Sequence, residues 1–181
     1  MLRYAPPVTP WAALANELVR RVQRDLEAVL SDIDPAWLDR PVGPGANPIG
    51  WLAWHLTRSH DRNVSELSGR EQLWTGQGWA ARFGRDPDPA ETGFAHTAEQ
   101  VAAFVSPPAP QLIAYHRAVV EMVSRYLADA GDDELDRVTT SPTLVDTRTV
   151  RDRMAGILTE GLEHVGQMAY LRGLYQLDSR T

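Results

Sequence analysis

The sequence predicts an all-α protein, most simply a four-helix bundle with a long insertion between its second and third helices. Four segments repeat apolar residues at the three-and-four spacing of an amphipathic helix, and loops rich in Pro, Gly and Asp separate them. No segment alternates apolar and polar residues as a half-buried strand would. We expect one domain over residues 1–181, because single domains commonly hold about 100 to 200 residues.

The first two helices are predicted from apolar spacing and from their start signals. The first covers about residues 9–31, and Pro10 suits its first turn. The second covers about residues 48–67, with Asn47 as its cap and Pro48 at its first helical position. A Ser-Gly pair then ends the second helix.

Residues 70–106 form the predicted insertion. A structureless loop of this length is unusual unless it folds over a site or binds something, and its aromatic content argues against disorder. A capping-box pattern beginning at Thr97 predicts one short helix inside it. Trp74 and Trp79 suit either a lid over a pocket or a plug in the core, and we favour the core.

The last two helices complete the bundle. The third is predicted over about residues 107–130, with a core stripe of Leu, Val, Met and Tyr. The fourth begins near Thr147 or Thr149, ends near Leu177 and carries an apolar face along its length. At 1.5 Å per residue it would be roughly 40 Å long.

Composition excludes several functions. The formal net charge is −6 and no basic patch is present, so we expect no nucleic-acid partner. No run of about 18 apolar residues predicts a membrane span, and residues 1–7 lack the apolar core of a signal peptide. The sequence has no Cys, hence no thiolate ligand, and no Lys, hence no Schiff-base lysine. A cytoplasmic location fits best.

A Glu-x-x-x-His motif in the fourth helix is the most informative feature. Glu160 and His164 project from one helix face, and a carboxylate stacked on an imidazole makes half of a divalent-metal site. His55, near the middle of the second helix, is the best candidate for the third ligand. Gly161 and Gly166 flank His164 and indicate close approach of another helix or a ligand. Such a Glu–His pair also occurs on solvated helix faces.

Two imidazoles and one carboxylate, with no sulfur ligand, favour zinc, while nickel, manganese and iron remain open. The other histidines rank lower. His60 should face another side of the second helix, and His96 can reach the site only if the insertion folds over it. His116 lies beside the core stripe of the third helix, where a buried, hydrogen-bonded histidine is the simpler interpretation.

Two kinds of polar neighbour can serve the predicted site. Gln167, one turn from His164, can orient a ligand or substrate, or it can form an ordinary hydrogen bond between helices. Three arginines can hold an anionic substrate, or they can pair with Asp61 and Glu163: these are Arg58, Arg62 and Arg172.

Three stretches carry a family resemblance: Pro48–Leu56 with the following Asp61-Arg62-Asn63, Trp74–Gly84, and His164–Leu174. They resemble the DinB-like superfamily, and the likeness covers about residues 10–176. The resemblance implies a bundle of up-down-down-up order, often a homodimer. It also implies a divalent metal held by a His on the second helix and two residues four apart on the fourth. His55, Glu160 and His164 match those positions.

The resemblance also implies a reaction. The His, Glu, His set is similar to that of the mycothiol-dependent maleylpyruvate isomerases, which use zinc and a low-molecular-weight thiol, and relatives include thiol S-transferases. The isomerases carry a further C-terminal domain that these 181 residues do not include. We therefore expect a metal-dependent enzyme for a small-molecule substrate, acting through a thiol such as mycothiol. A metal-dependent hydrolase and a non-catalytic, dimeric metal- or ligand-binding bundle stay open as alternatives.

Overall fold

The computed structural model describes residues 8–179, and its four long helices form the predicted bundle. The signal-peptide expectation rests on residues 1–7, which lie outside the described residues. The long helices are α1 (Pro10–Leu30), α2 (Ile49–Ser68), α6 (Ala109–Asp129) and α7 (Val150–Asp178). Helices α1 and α2 both pack against α6 and α7, so α1 and α2 lie on a diagonal of the bundle. No helix among the described residues is long and apolar enough to cross a membrane.

Helix α2 is the most deeply buried element. Every residue from Ile49 to Ser65 is buried, although the second half of this stretch is mostly polar. Helices α6 and α7 cover two sides of α2, and the insertion covers another. A buried polar group that lacks a hydrogen bond is costly, so the partners of these side chains decide how the neighbouring segments sit.

The insertion folds against α2 and holds three short helices: α3 (Leu73–Gly76), α4 (Trp79–Arg82) and α5 (Ala98–Ala102). The capping box predicted at Thr97 is present at the start of α5. Trp74 and Trp79 are both buried, and each ring packs against Tyr115 of α6. They belong to the core, as predicted.

A buried ion pair on α2 anchors the insertion. Asp61 accepts hydrogen bonds from the backbone N–H groups of Leu73, at 2.9 Å, and Trp74, at 2.8 Å. Arg58 donates to Asp61 and to the side-chain oxygen of Gln72. Its guanidinium also donates to the carbonyl oxygens of Pro89 and Glu91, so both ends of the insertion's first half are tied to α2.

Two local predictions about helix starts need correction. Helix α2 begins at Ile49, with Pro48 rather than Asn47 as its N-cap. The backbone at Pro48 is extended, and its carbonyl oxygen accepts the first helical bond, from the N–H of Leu52. Helix α6 likewise begins only at Ala109, because Pro108 stays outside the helical conformation. Of the two predicted starts of α7, Thr149 is confirmed and forms a capping box with Asp152.

The expectation that the chain has no strands is wrong at one place. Strands β1 (Val138–Ser141) and β2 (Asp146–Thr149) pair as a short antiparallel hairpin before α7. Both strands are four residues long and rich in Thr, Ser and Asp, so no apolar alternation marks them. Their position depends on Arg153 of α7, which donates to the Thr139 hydroxyl and the Asp146 carboxylate.

His116 lies fully buried in the core, as expected. Its Nδ1 donates to the Thr57 hydroxyl at 2.9 Å, since the Thr57 proton is given to the carbonyl oxygen of Ala53. Burial, together with the neighbouring His60, lowers the pKa of the His116 imidazole to about 3. The folded protein therefore keeps this ring neutral across the physiological pH range.

The His116 site predicts a loss of stability in mild acid. The unfolded imidazole takes up a proton near pH 6.5, whereas the folded one does not until about pH 3. The free energy of unfolding should therefore fall as the pH is lowered from 7 to 5, by about 2 kcal/mol from this residue alone. His116→Asn retains a donor for Thr57 but does not titrate, so urea unfolding at the two pH values should show a smaller loss for this variant. Equal losses in both proteins would contradict the assignment.

Candidate metal centre

The three predicted ligands meet at the interface of α2 and α7. The Nε2 atom of His55 lies 3.0 Å from Oε1 of Glu160, and Nε2 of His164 lies 3.9 Å from the same oxygen. One ligand atom from each residue lies within 4.8 Å of the others, so the group could hold one metal ion. The structure thus brings His55 of α2 together with Glu160 and His164 of α7, as the sequence predicted.

Close helix packing brings the ligands together. A Cβ atom at Gly161 would lie 3.2 Å from Nε2 of His60 and from Cγ2 of Val22, so glycine lets α7 approach both α2 and α1. The close approach inferred from the flanking glycines is therefore present at Gly161. At Gly166 no other helix approaches as closely, because a Cβ there would meet nothing within 4 Å among the described residues.

Hydrogen bonds to the other ring nitrogens orient both imidazoles. The Nδ1 atom of His55 bonds the carbonyl oxygen of Thr92, and Nδ1 of His164 bonds Oε1 of Gln167 at 2.8 Å. Each acceptor calls for a proton on Nδ1, which leaves the Nε2 lone pair free to face a cation. For Gln167 this is the orienting contact that the sequence allowed.

The carboxylate is also held in the form that binds metal. Burial raises the pKa of Glu160, but the neighbouring His55 and the Ser59 hydroxyl outweigh burial and lower the pKa to about 2. The Ser59 hydroxyl donates to Oε2 at 2.6 Å, while Oε1 faces the two imidazoles. The donor set therefore fits a divalent cation: two imidazole nitrogens, one ionised carboxylate oxygen and oriented partners behind each ligand.

The site opens into a cavity of about 440 Å³, a size within the range of small-molecule sites. His55, Ser59 and Glu160 line its inner part, and residues of the insertion, of the β1–β2 hairpin and of the start of α7 line the rest. Arg62 contributes to the wall of this cavity. A cation held by the three ligands would face this space.

Two of the three arginines considered for an anionic substrate serve elsewhere. Arg58 forms a buried ion pair with Asp61, which is the pairing that the sequence offered as the alternative to substrate binding. Arg172 donates to the last carbonyl oxygens of α1 and its C-cap, and so closes the end of that helix. Of these three arginines, only Arg62 lines the described cavity. Glu163 forms no ion pair with any of the three among the described residues.

The remaining histidines stay out of the ligand group. His60 is buried and bonds the carbonyl oxygen of Ile157 through Nε2. His96 does fold back onto α2, where it stacks on Trp54 and bonds Glu91, but it is not among the residues that could share the ion.

Most of the residues that support the metal ligands were not predicted from the sequence. Ser59 follows His55 by four residues on the same helix face, so spacing alone could have identified it. Thr92 and Gly93 carry no comparable signal, because they reach the site only through the path of the insertion. Gly93 has φ +84°, and a Cβ there would lie 2.8 Å from Trp54 and 3.0 Å from Nδ1 of His55. Only glycine lets this backbone pass close enough for the Thr92 carbonyl to reach His55.

Comparisons with known proteins agree with this fold. A family model described as the DinB superfamily matches residues 18–168, a range that includes all three ligands. A solved structure, described as that of a conserved protein from Enterococcus faecalis, is similar with a TM-score of 0.78 and 26% identity, over 88% of this chain and 94% of that one. No curated protein matches the sequence.

Replacing Gly93 with Ala should weaken metal binding without touching a ligand. The added Cβ would press on Trp54 and on the His55 ring and would displace the Thr92 carbonyl. Losing an orienting partner of a metal-bound histidine costs about 10- to 100-fold in affinity. We expect a loss of this size for zinc, measured by competition with a chromophoric chelator.

Gly84→Ala is the matched control for this experiment. Gly84 also has a positive φ, +64°, but a Cβ there would meet nothing within 4 Å and it does not line the cavity. Its replacement imposes a similar backbone strain and should leave zinc affinity unchanged. Equal affinity losses in both variants would show that Gly93 acts through general stability alone.

Proposed function

Because this chain belongs to the DinB superfamily, we propose that it is a metal-dependent enzyme whose cation is held by His55, Glu160 and His164. The observation that carries the proposal is the convergence of two imidazole nitrogens and one carboxylate oxygen beside an open cavity. Three protein ligands leave coordination positions for a further molecule, as in catalytic rather than structural sites. Zinc is the first choice for this donor set, with nickel, manganese and iron as the other candidates.

The proposed reaction is a transfer or isomerisation that uses a low-molecular-weight thiol such as mycothiol. The His, Glu, His set supports this choice through its resemblance to the mycothiol-dependent isomerases. The chain contains no Cys, so any thiol in the reaction must come from a small molecule. When bound, a divalent cation lowers the pKa of a coordinated thiol, which makes the thiolate available at neutral pH.

The protein's own residues would bind and orient the reactants. Thr92 and Gln167 fix the two imidazole rings, and Ser59 fixes the carboxylate. The side chains of Phe94 and Ile157 give the cavity an apolar wall, suited to the carbon skeleton of an electrophile. A reactant held against this wall would meet the thiol in a restricted orientation, which by itself lowers the barrier.

The homodimer that the family resemblance implies and the cytoplasmic location that the composition favours both stay predictions. The proposal itself needs neither, because all three ligands come from one chain.

The test is a thiol-dependent assay of zinc-loaded protein purified without a histidine tag. With 1-chloro-2,4-dinitrobenzene as the electrophile, we expect consumption above background only when mycothiol is supplied. His164→Ala removes one ligand and should abolish both zinc retention and this rate. His96→Ala, which removes a nearby histidine outside the ligand group, should retain zinc and most of the rate.

Each other outcome contradicts part of the proposal. Equal rates with and without the thiol would favour hydrolysis at the same site. Retained zinc with no rate for any electrophile in a panel would favour a binding protein without turnover. A metal content near zero that added zinc or nickel does not restore would contradict the metal site itself.

A further inference from the structure

We propose that Arg62 forms an anion subsite in the cavity and selects substrates that carry a carboxylate group. This inference rests on the proposed function, because it names the class of substrate that would lie beside the metal ligands. It follows from the position of Arg62 on α2, from its lack of partners and from the chemistry of the surrounding wall.

Arg62 lies on the same face of α2 as the metal ligand His55. Seven residues separate them, which is about two turns at 100° per residue and about 10 Å along the helix axis. Ser59, which bonds Glu160, lies between them on this face, and all three side chains line the cavity. A substrate that bridges the two ends would place its anionic group roughly the length of a small molecule from the metal ligands.

The Arg62 guanidinium is buried but almost unpartnered. Its residue exposure is 5%, and Nε is buried without any hydrogen-bond partner. Among the described residues its one hydrogen bond runs from Nη1 to the Thr92 hydroxyl, at 3.3 Å. A guanidinium has five N–H donors, and leaving a buried charge unpaired is costly. Burial correspondingly lowers the pKa of Arg62. A bound anion would remove this cost.

The other two arginines of the cavity already have a carboxylate partner. Arg153 and Arg148 both donate to the carboxylate of Asp146, at 2.7 Å each. Burial lowers the pKa of Arg62 and Glu66, one turn later, raises it, yet the two form no ion pair among the described residues, and Oε1 of Glu66 accepts instead from Thr143 at 2.6 Å. Arg62 is therefore the arginine lining the described cavity that has no carboxylate partner.

The shape of the guanidinium and of the wall favours a carboxylate on an apolar skeleton. Two neighbouring N–H groups of an arginine match the two oxygens of a carboxylate, and the terminal Nη1 and Nη2 groups of Arg62 form such a pair. Phe94 is 69% exposed at the cavity, and Leu144 and Ile157 continue this apolar surface. An exposed aromatic side chain beside an unpaired buried cation fits a ligand that has an apolar body and a charged end.

Thr92 links this subsite to the metal ligands. Its backbone carbonyl bonds His55, and its side-chain hydroxyl accepts from Arg62. One residue of the insertion thus fixes the distance between the metal end and the anion end of the cavity.

Isothermal titration calorimetry tests the subsite without any turnover. The probes are 3-phenylpropanoate and the matched neutral alcohol 3-phenylpropan-1-ol, titrated into zinc-loaded protein in the absence of thiol. We expect the carboxylate to bind at least about tenfold more tightly than the alcohol, the usual size of a hydrogen-bonded charge pair. Arg62→Met should abolish this preference, and Arg62→Lys should keep only part of it, because lysine retains the charge but not the two-pronged geometry.

The control is Arg148→Met, which removes an exposed arginine of the same cavity that is already paired with Asp146. It should preserve the preference for the carboxylate. Zinc content is measured in every variant, so that metal loss is not mistaken for loss of the subsite. Arg62→Met and Arg62→Lys should both retain zinc and the native circular dichroism spectrum, so that a lost or reduced preference is assigned to the guanidinium and not to unfolding.

Three results would overturn the proposal. Equal binding of acid and alcohol by the unaltered protein would exclude an anion subsite. A preference that survives Arg62→Met would place the carboxylate on the metal instead. Tighter binding of phenyl phosphate than of the carboxylate would assign the subsite to phosphate. A missing thiol-dependent rate alongside the expected binding would contradict only the proposed reaction.

Discussion

The structure depends on one constraint: helix α2 is buried on all sides, yet its second half is polar. Most of these side chains find within the protein a partner that water would otherwise supply, and the partners lie on several elements. Thr57 bonds His116 of α6, Ser59 bonds Glu160 of α7, and Asp61 bonds the backbone of the insertion. An apolar helix in this place would have held the same bundle together without fixing how the insertion crosses it.

The candidate metal centre is a product of this constraint. His55 and Arg62 both face the insertion, and Thr92 bonds His55 through its carbonyl oxygen and Arg62 through its hydroxyl. A loop of this kind would ordinarily be mobile, but hydrogen bonds from Arg58 and to Asp61 fix its path. The loop that orients His55 is therefore held by contacts outside the ligand group.

Most of the fold and half of the site could be predicted from the sequence, because helical periodicity and the spacing of Glu160 and His164 are local properties. Placing His55 beside them required two further premises: bundles build metal sites from side chains on facing helices, and the sequence resembles a family with this ligand set. The hairpin at residues 138–149 could not be found in this way, since its polar strands depend on Arg153 from a later helix. The contact of Thr92 with His55 was equally hidden, because the two residues lie 37 positions apart and meet only through the path of the insertion.

X-ray absorption spectroscopy of the zinc-loaded protein tests the assignment of the metal ligands most directly. Coordination by His55, Glu160 and His164 predicts nitrogen and oxygen neighbours of zinc at about 2.0 to 2.1 Å, including two imidazoles and no sulfur. On addition of the thiol, a sulfur neighbour should appear at about 2.3 Å. A shell of oxygen atoms alone, without imidazole scattering, would contradict the assignment of His55, Glu160 and His164 as the metal ligands.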